Sequence, residues 1–145
     1  MHVMKKLFLI FMLSPLFMKA QFKIVNNATT NLLDVRQGTW PISLQRITKP
    51  TDTTYVLQFR TQEYMNSVIM TTLRFKDIEQ LRYFQKGLAA LKSGNTGDVA
   101  EFKDYTIKRV DMYKEGIWYI LTCDGGQTNF QQPEADRMIA VISKQ

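Results

Sequence analysis

The sequence predicts an α+β fold: an antiparallel sheet with two helices packed on one face, a pattern that also admits two strand-strand-strand-helix halves. Three observations carry this expectation. Short apolar runs with period-2 alternation recur about 8–12 residues apart, joined by short links, as in an antiparallel meander. Within residues 71–91 (TTLRFKDIEQLRYFQKGLAAL) the apolar period then changes from about 2 to about 3.6, so a strand runs into a helix. A shorter stretch of the same kind, TNFQQPEADRMIAVI at 128–142, closes the chain.

The first twenty residues read differently from the rest. A short basic region at 2–6 precedes an apolar run at 7–18, broken by Ser14 and Pro15, and Lys19-Ala20 leads into Gln21. This is the plan of a secretory signal peptide with cleavage expected after Ala20. Its apolar core is shorter than the roughly 20 residues a membrane span needs, so no stable span is expected after cleavage. The expected organisation is a signal peptide at 1–20, an N-terminal arm at 21–38 and a single α+β domain at 39–145. The protein is therefore expected to be exported, periplasmic or secreted.

Residues 21–38 hold two short apolar pieces separated by Asn and Thr, which suits a partly ordered arm with room for one edge strand. A strand with Ile42 and Leu44 on one side follows, and Pro41 near its start fits an edge or a first position. Lys49-Pro50-Thr51-Asp52 signals a turn. The next strand sets Tyr55, Leu57 and Phe59 on one face. A link at 62–66 leads to a third strand at 67–75. Asp77 is placed to cap a helix whose buried stripe is Ile78, Leu81, Phe84, Leu88 and Leu91, ended by Ser93-Gly94-Asn95. Gly87 inside that helix costs up to ~1 kcal/mol relative to Ala, so either something packs closely there or the helix tolerates it.

The second half opens with a strand-like stretch at 99–110, clearest from residue 105. A turn at Lys114-Glu115-Gly116 leads to the most apolar strand outside the leader, IWYILTC at 117–123, expected to be central in the sheet. Asp124-Gly125-Gly126 suits a tight hairpin, since Asp-Gly readily takes the positive φ angles such turns require. Pro133 fits the first turn of the last helix, and Ala135, Met138, Ile139 and Ile142 form its apolar face. Setting Phe75 on Phe130 places Glu79 on Glu134 and Arg82 on Arg137, the basis for reading the halves as a repeat.

Composition narrows the chemistry. Of nineteen Lys and Arg, three (Lys5, Lys6 and Lys19) lie in the leader, which leaves sixteen against thirteen acidic residues. The only histidine, His2, also lies there, so the exported chain would hold one cysteine, Cys123, and no imidazole. Nucleophilic machinery built on histidine and zinc sites built from Cys and His then lack their parts. Asp104, Asp111, Glu115 and Asp124 sit near strand ends or turns with no spacing that pairs them as a glycosidase requires. No catalytic residue, metal ligand set or cofactor site is expected, and the protein is read as no enzyme.

What remains is binding. Aromatic residues interleave with basic ones along the predicted strands, and Arg60, Arg74, Tyr105, Lys108, Arg109 and Trp118 are the candidate binding face. A sheet of three or four strands followed by a helix, repeated, resembles in its topology the layout of Whirly-type single-strand binders. That likeness implies an alternative function, single-stranded nucleic-acid or polyanion binding by an aromatic-basic sheet face. Export argues against nucleic acid, so the expected partner is a protein or an envelope component. The expected function is a small, exported, non-catalytic binding or structural domain.

Overall fold

The structure, a computed structural model, describes residues 27–62 and 68–145. The leader and most of the link before the fourth strand lie outside the described residues. The fold is α+β and antiparallel, with helices packed on sheets, as the periodicity requires. The strands divide between two four-stranded meanders, each followed by a helix. The first holds β1 (Ala28–Arg36), β2 (Ile42–Thr48), β3 (Thr53–Arg60) and β4 (Met70–Phe75), then α1 (Ile78–Lys92). The second holds β5 (Val99–Glu101), β6 (Tyr105–Met112), β7 (Gly116–Cys123) and β8 (Gly126–Gln131), then α2 (Gln132–Ile142).

Each half thus gains a fourth strand over the pattern in the sequence. β1 is the edge strand anticipated within 21–38, and it pairs along its length with β2 and buries Val35. Two irregularities in its register break the alternation, which hides it from a period-2 reading. β5 has three residues, too few for any period to show.

One core joins both inner sheet faces to both helices. Leu44, Leu57, Phe59 and Phe75 come from the first sheet, Ile107, Tyr119, Leu121 and Phe130 from the second, Leu81, Phe84 and Leu88 from α1 and Met138 and Ile142 from α2. Each such side chain contributes about 1.5–3 kcal/mol by leaving water. α1 opens as its sequence demands: the Gln80 N–H donates to Asp77 Oδ1 at 2.9 Å. In α2 the contact runs the other way, the third helical residue Glu134 accepting through Oε2 from the Gln131 N–H at 2.8 Å. IWYILTC becomes β7, flanked on both sides by β6 and β8. The hairpin at Asp124-Gly125 forms, but the positive φ falls one residue later, on Gly126 (φ 136°). A Cβ there would lie 2.2 Å from Thr61 Oγ1, so glycine lets the two sheets approach.

The halves repeat each other strand by strand. In the first sheet Leu44 faces Leu57, Arg46 faces Tyr55 and Tyr55 faces Phe75. In the second, Ile107 faces Leu121, Arg109 faces Tyr119 and Tyr119 faces Phe130. Phe75 and Phe130 are equivalent, as the sequence alignment set them. The helices, however, slip by one position against that alignment. Their buried faces match as Leu81 with Ala135, Phe84 with Met138 and Leu88 with Ile142, which sets Glu134 on Gln80 and Arg137 on Tyr83. The pairing of Glu79 with Glu134 and of Arg82 with Arg137 is corrected accordingly. It fails because α2 starts directly after its strand, whereas two residues separate β4 from α1.

The halves also interlock. α1 packs on β5 and β6 of the second sheet as well as on β3 and β4, and α2 reaches β1 as well as β7 and β8. Polar links reinforce this: Gln62 N–H donates to Gln127 O at 2.8 Å, and the Thr71 hydroxyl to Gly125 O at 2.6 Å. Lys92 pairs with Asp136 at 2.8 Å and ties the helices together.

Candidate functional site

The turn at 102–105 joins β5 to β6 and stands beside α1 between Gln80 and Gly87. Phe102 lies flat on Tyr105, ring centroids 4.3 Å apart, and Tyr105 meets Phe75 edge-on at 6.1 Å. Gly87 explains why the ring can settle there. A Cβ at that position would lie 2.4 Å from Phe102 Cζ, so the helix gives up a side chain to admit the aromatic ring.

Between this aromatic stack, the end of β4 and α1 lies an open cleft of about 210 Å³. Strand alternation puts Leu73 and Phe75 inward and turns Arg74 outward to its rim. Lys103 and Asp104 come from the 102–105 turn, and Gln80 and Tyr83 from the first turns of α1. Tyr83 is 60 % exposed. The Gln80 side chain already accepts from the Lys76 N–H at 2.7 Å. Among the described residues, Arg74, Lys103 and Asp104 make no ion pair or side-chain hydrogen bond. Burial, and then the nearby Asp104 carboxylate, push the Tyr105 phenol above its ordinary range, so it stays protonated at neutral pH.

A second hollow of about 320 Å³ lies on the other side of the same turn, where Asp104 and Asp124 share a concavity with Cys123. Cys123 is a free, half-buried thiol with Sγ 3.6 Å from Gly126 O. No cluster of three or more His, Cys, Asp or Glu side chains suited to a metal ion occurs among the described residues. Nor is any helix among them long and apolar enough to cross a membrane.

The six candidate residues do not share one face. Arg74 and Tyr105 come together at the cleft. Lys108 and Trp118 lie on the outer face of the second sheet, where Lys108 faces Ile120 and Trp118 faces Val110. Arg60 lies elsewhere again, stacked 4.3 Å over the Trp40 ring with Nη1 donating to Thr39 O at 3.0 Å. Arg109 is buried. Its Nη1 donates to Leu91 O at 3.0 Å and to Lys92 O at 2.7 Å, closing the C-terminus of α1, while Nε reaches Asp111 at 2.7 Å. Adjacent strand residues point to opposite faces, so Lys108 and Arg109 could not both belong to one surface. Lys103, Tyr83 and Phe102 complete the cleft; they belong to the aromatic and basic residues of the sequence, but they come from a turn and a helix and not from a sheet face. Gly87 was the available signal: an unexplained helical glycine marks close packing.

Compared with known protein families and with curated protein sequences, the chain matches none.

Proposed function

We propose that this chain is a small, exported, non-catalytic binding domain acting in the periplasm or outside the cell, and that it binds through the cleft at Arg74, Tyr83 and Tyr105. One observation supports this reading above others. Two cations without a partner among the described residues, Arg74 and Lys103, converge with aromatic surface in an open concavity. A cation at an apolar wall gains strength from an anionic partner, because the low local dielectric reinforces the charge-assisted hydrogen bond. The leader in the sequence supports the export half of the reading.

Both halves have a direct test. Intact mass of the natural protein beginning at Gln21 supports export, and retained Met1 in a cytosolic fraction overturns it. For binding, the immobilised protein is compared with an Arg74→Gln/Lys103→Gln variant in capture from envelope extract. A partner retained by the first and lost by the second supports the reading, and identical capture by both overturns it. Capture that single-stranded DNA abolishes, with a steep fall in affinity as salt rises, would instead favour a polyanion partner.

A further inference from the structure

We infer that the cleft is a carboxylate site for a small organic acid whose apolar body is a single ring. This rests on the binding reading above and names the ligand class. The two halves are built reciprocally. The first strand of each half packs on the helix of the other half, and the chain at or just past that strand's end nears the helix's start: Arg36 meets Glu134, and Lys103 and Asp104 line one cleft with Gln80.

At one of these two meetings the contact is satisfied from within. Glu134, the third residue of α2, accepts from Arg36 Nε at 2.8 Å and from Nη2 at 2.6 Å. Arg36 also donates to Asn129 O at 3.2 Å, and Arg137 to Val35 O at 2.5 Å. The cleft is the other meeting. There the equivalent of Glu134 is the neutral Gln80, that of Arg137 is the aromatic Tyr83, and that of Asn129 is Arg74. Cations are present at both meetings, but among the described residues only the first pairs one with a carboxylate, whereas Asp104 at the second pairs with neither Arg74 nor Lys103. The second has two cations with no partner among the described residues, Arg74 and Lys103, an open volume and aromatic walls.

Size and charge narrow the class. About 210 Å³ is below the roughly 300–1,000 Å³ of sites for drug-sized ligands, so one ring with a short acidic arm fits. Asp104 on the rim opposes an anion, which leaves two cations against one carboxylate and favours a monoanion over a polyanion. Tyr83, with Lys86 Nζ over its ring at 5.4 Å, and the Phe102–Tyr105 stack line the cleft with aromatic surface that a ligand ring can contact.

Phenylacetate is the probe, titrated into the full-length protein and followed by amide NMR shifts. Acetate, which lacks the ring, and benzyl alcohol, which lacks the charge, are the controls. The expected result is saturable shifts confined to residues 74–83 and 102–106. Affinity should be weaker by roughly tenfold or more for both controls and for the Arg74→Gln/Lys103→Gln variant. Gln80→Glu installs the carboxylate that the counterpart holds and should reduce phenylacetate affinity by roughly tenfold while the protein stays folded. Absence of a saturable shift at the cleft overturns the inference. So does unchanged affinity in either variant whose amide spectrum is otherwise native. If phenylacetate fails but partner capture still requires Arg74 and Lys103, the ligand class falls and the binding reading stands. If both fail, both fall.

Discussion

Arg36 and Glu134, 98 residues apart in sequence, fasten the first strand to the last helix through two contacts of 2.8 and 2.6 Å. The same carboxylate accepts from the Gln131 N–H, so one side chain closes an ion pair and caps α2 together. With the two side chains only 23 % and 13 % exposed, water screens the pair poorly.

Glu134→Gln should therefore lower unfolding stability by about 2–3 kcal/mol, in the range for hydrogen bonds to charged groups. Urea denaturation measures it. A loss below about 0.5 kcal/mol would put this pair with ordinary surface ion pairs, which contribute little.

Arg109 and Arg74 should separate fold from binding. Arg109→Met removes a donor to the last carbonyls of α1 and should cost about 1–3 kcal/mol, since Lys92 O loses that partner while Leu91 O keeps the Gly94 N–H. Its effect on cleft affinity should be slight. Arg74→Gln should change stability by no more than about 0.5 kcal/mol, as for an exposed site, yet weaken the ligand. Reversed behaviour, seen by thermal melts beside the NMR titration, would reassign the two residues.

Gly87→Ala sets helix propensity against packing. Alanine favours the helix by up to ~1 kcal/mol, but its Cβ meets Phe102 Cζ at 2.4 Å, and the ring is held by Tyr105. The expected outcome is a net loss of about 1–2 kcal/mol, together with altered cleft shifts as Phe102 is displaced. Adding Phe102→Leu should recover part of the stability. Gly87→Ala that stabilises the protein and leaves the cleft spectrum intact would show that the ring moves freely.

Acid should weaken the fold through two carboxylates. The hydrogen bond from Arg109 holds Asp111 below the usual carboxylate range, and the one from Lys92 does the same for Asp136. A depressed folded-state pKa means stability is present above the unfolded value of about 3.9 and is lost as pH falls below it. Thermal melts should thus show these contributions constant from near neutral pH down to about pH 5 and declining in stronger acid. Asp111→Asn should flatten that acid limb; an unchanged limb would mean the Arg109 contact does not contribute.

Much of the fold was legible in the sequence wherever one residue's neighbours along the chain determine its state. Asp77 caps α1 because the free amides it serves are three residues away. Leu81, Phe84, Leu88 and Leu91 are buried because a helix brings them to one stripe. The repeat was visible only at Phe75 and Phe130, since the offset between equivalent residues changes at every link of unequal length. Arg46 with Arg109 and Tyr55 with Tyr119 share no single spacing with that pair, so no fixed alignment finds them.

By itself the sequence determined the class, the order of strands and helices, and which face of each is apolar, because these follow from side-chain period and local hydrogen bonding. Only the tertiary structure decided that the strands form two sheets, that each helix meets the other half, and that Arg109 serves the fold while Arg74 faces an open cleft. Those outcomes depend on contacts between residues far apart in the chain, such as Arg36 with Glu134, and no local pattern encodes which distant group a charge will find.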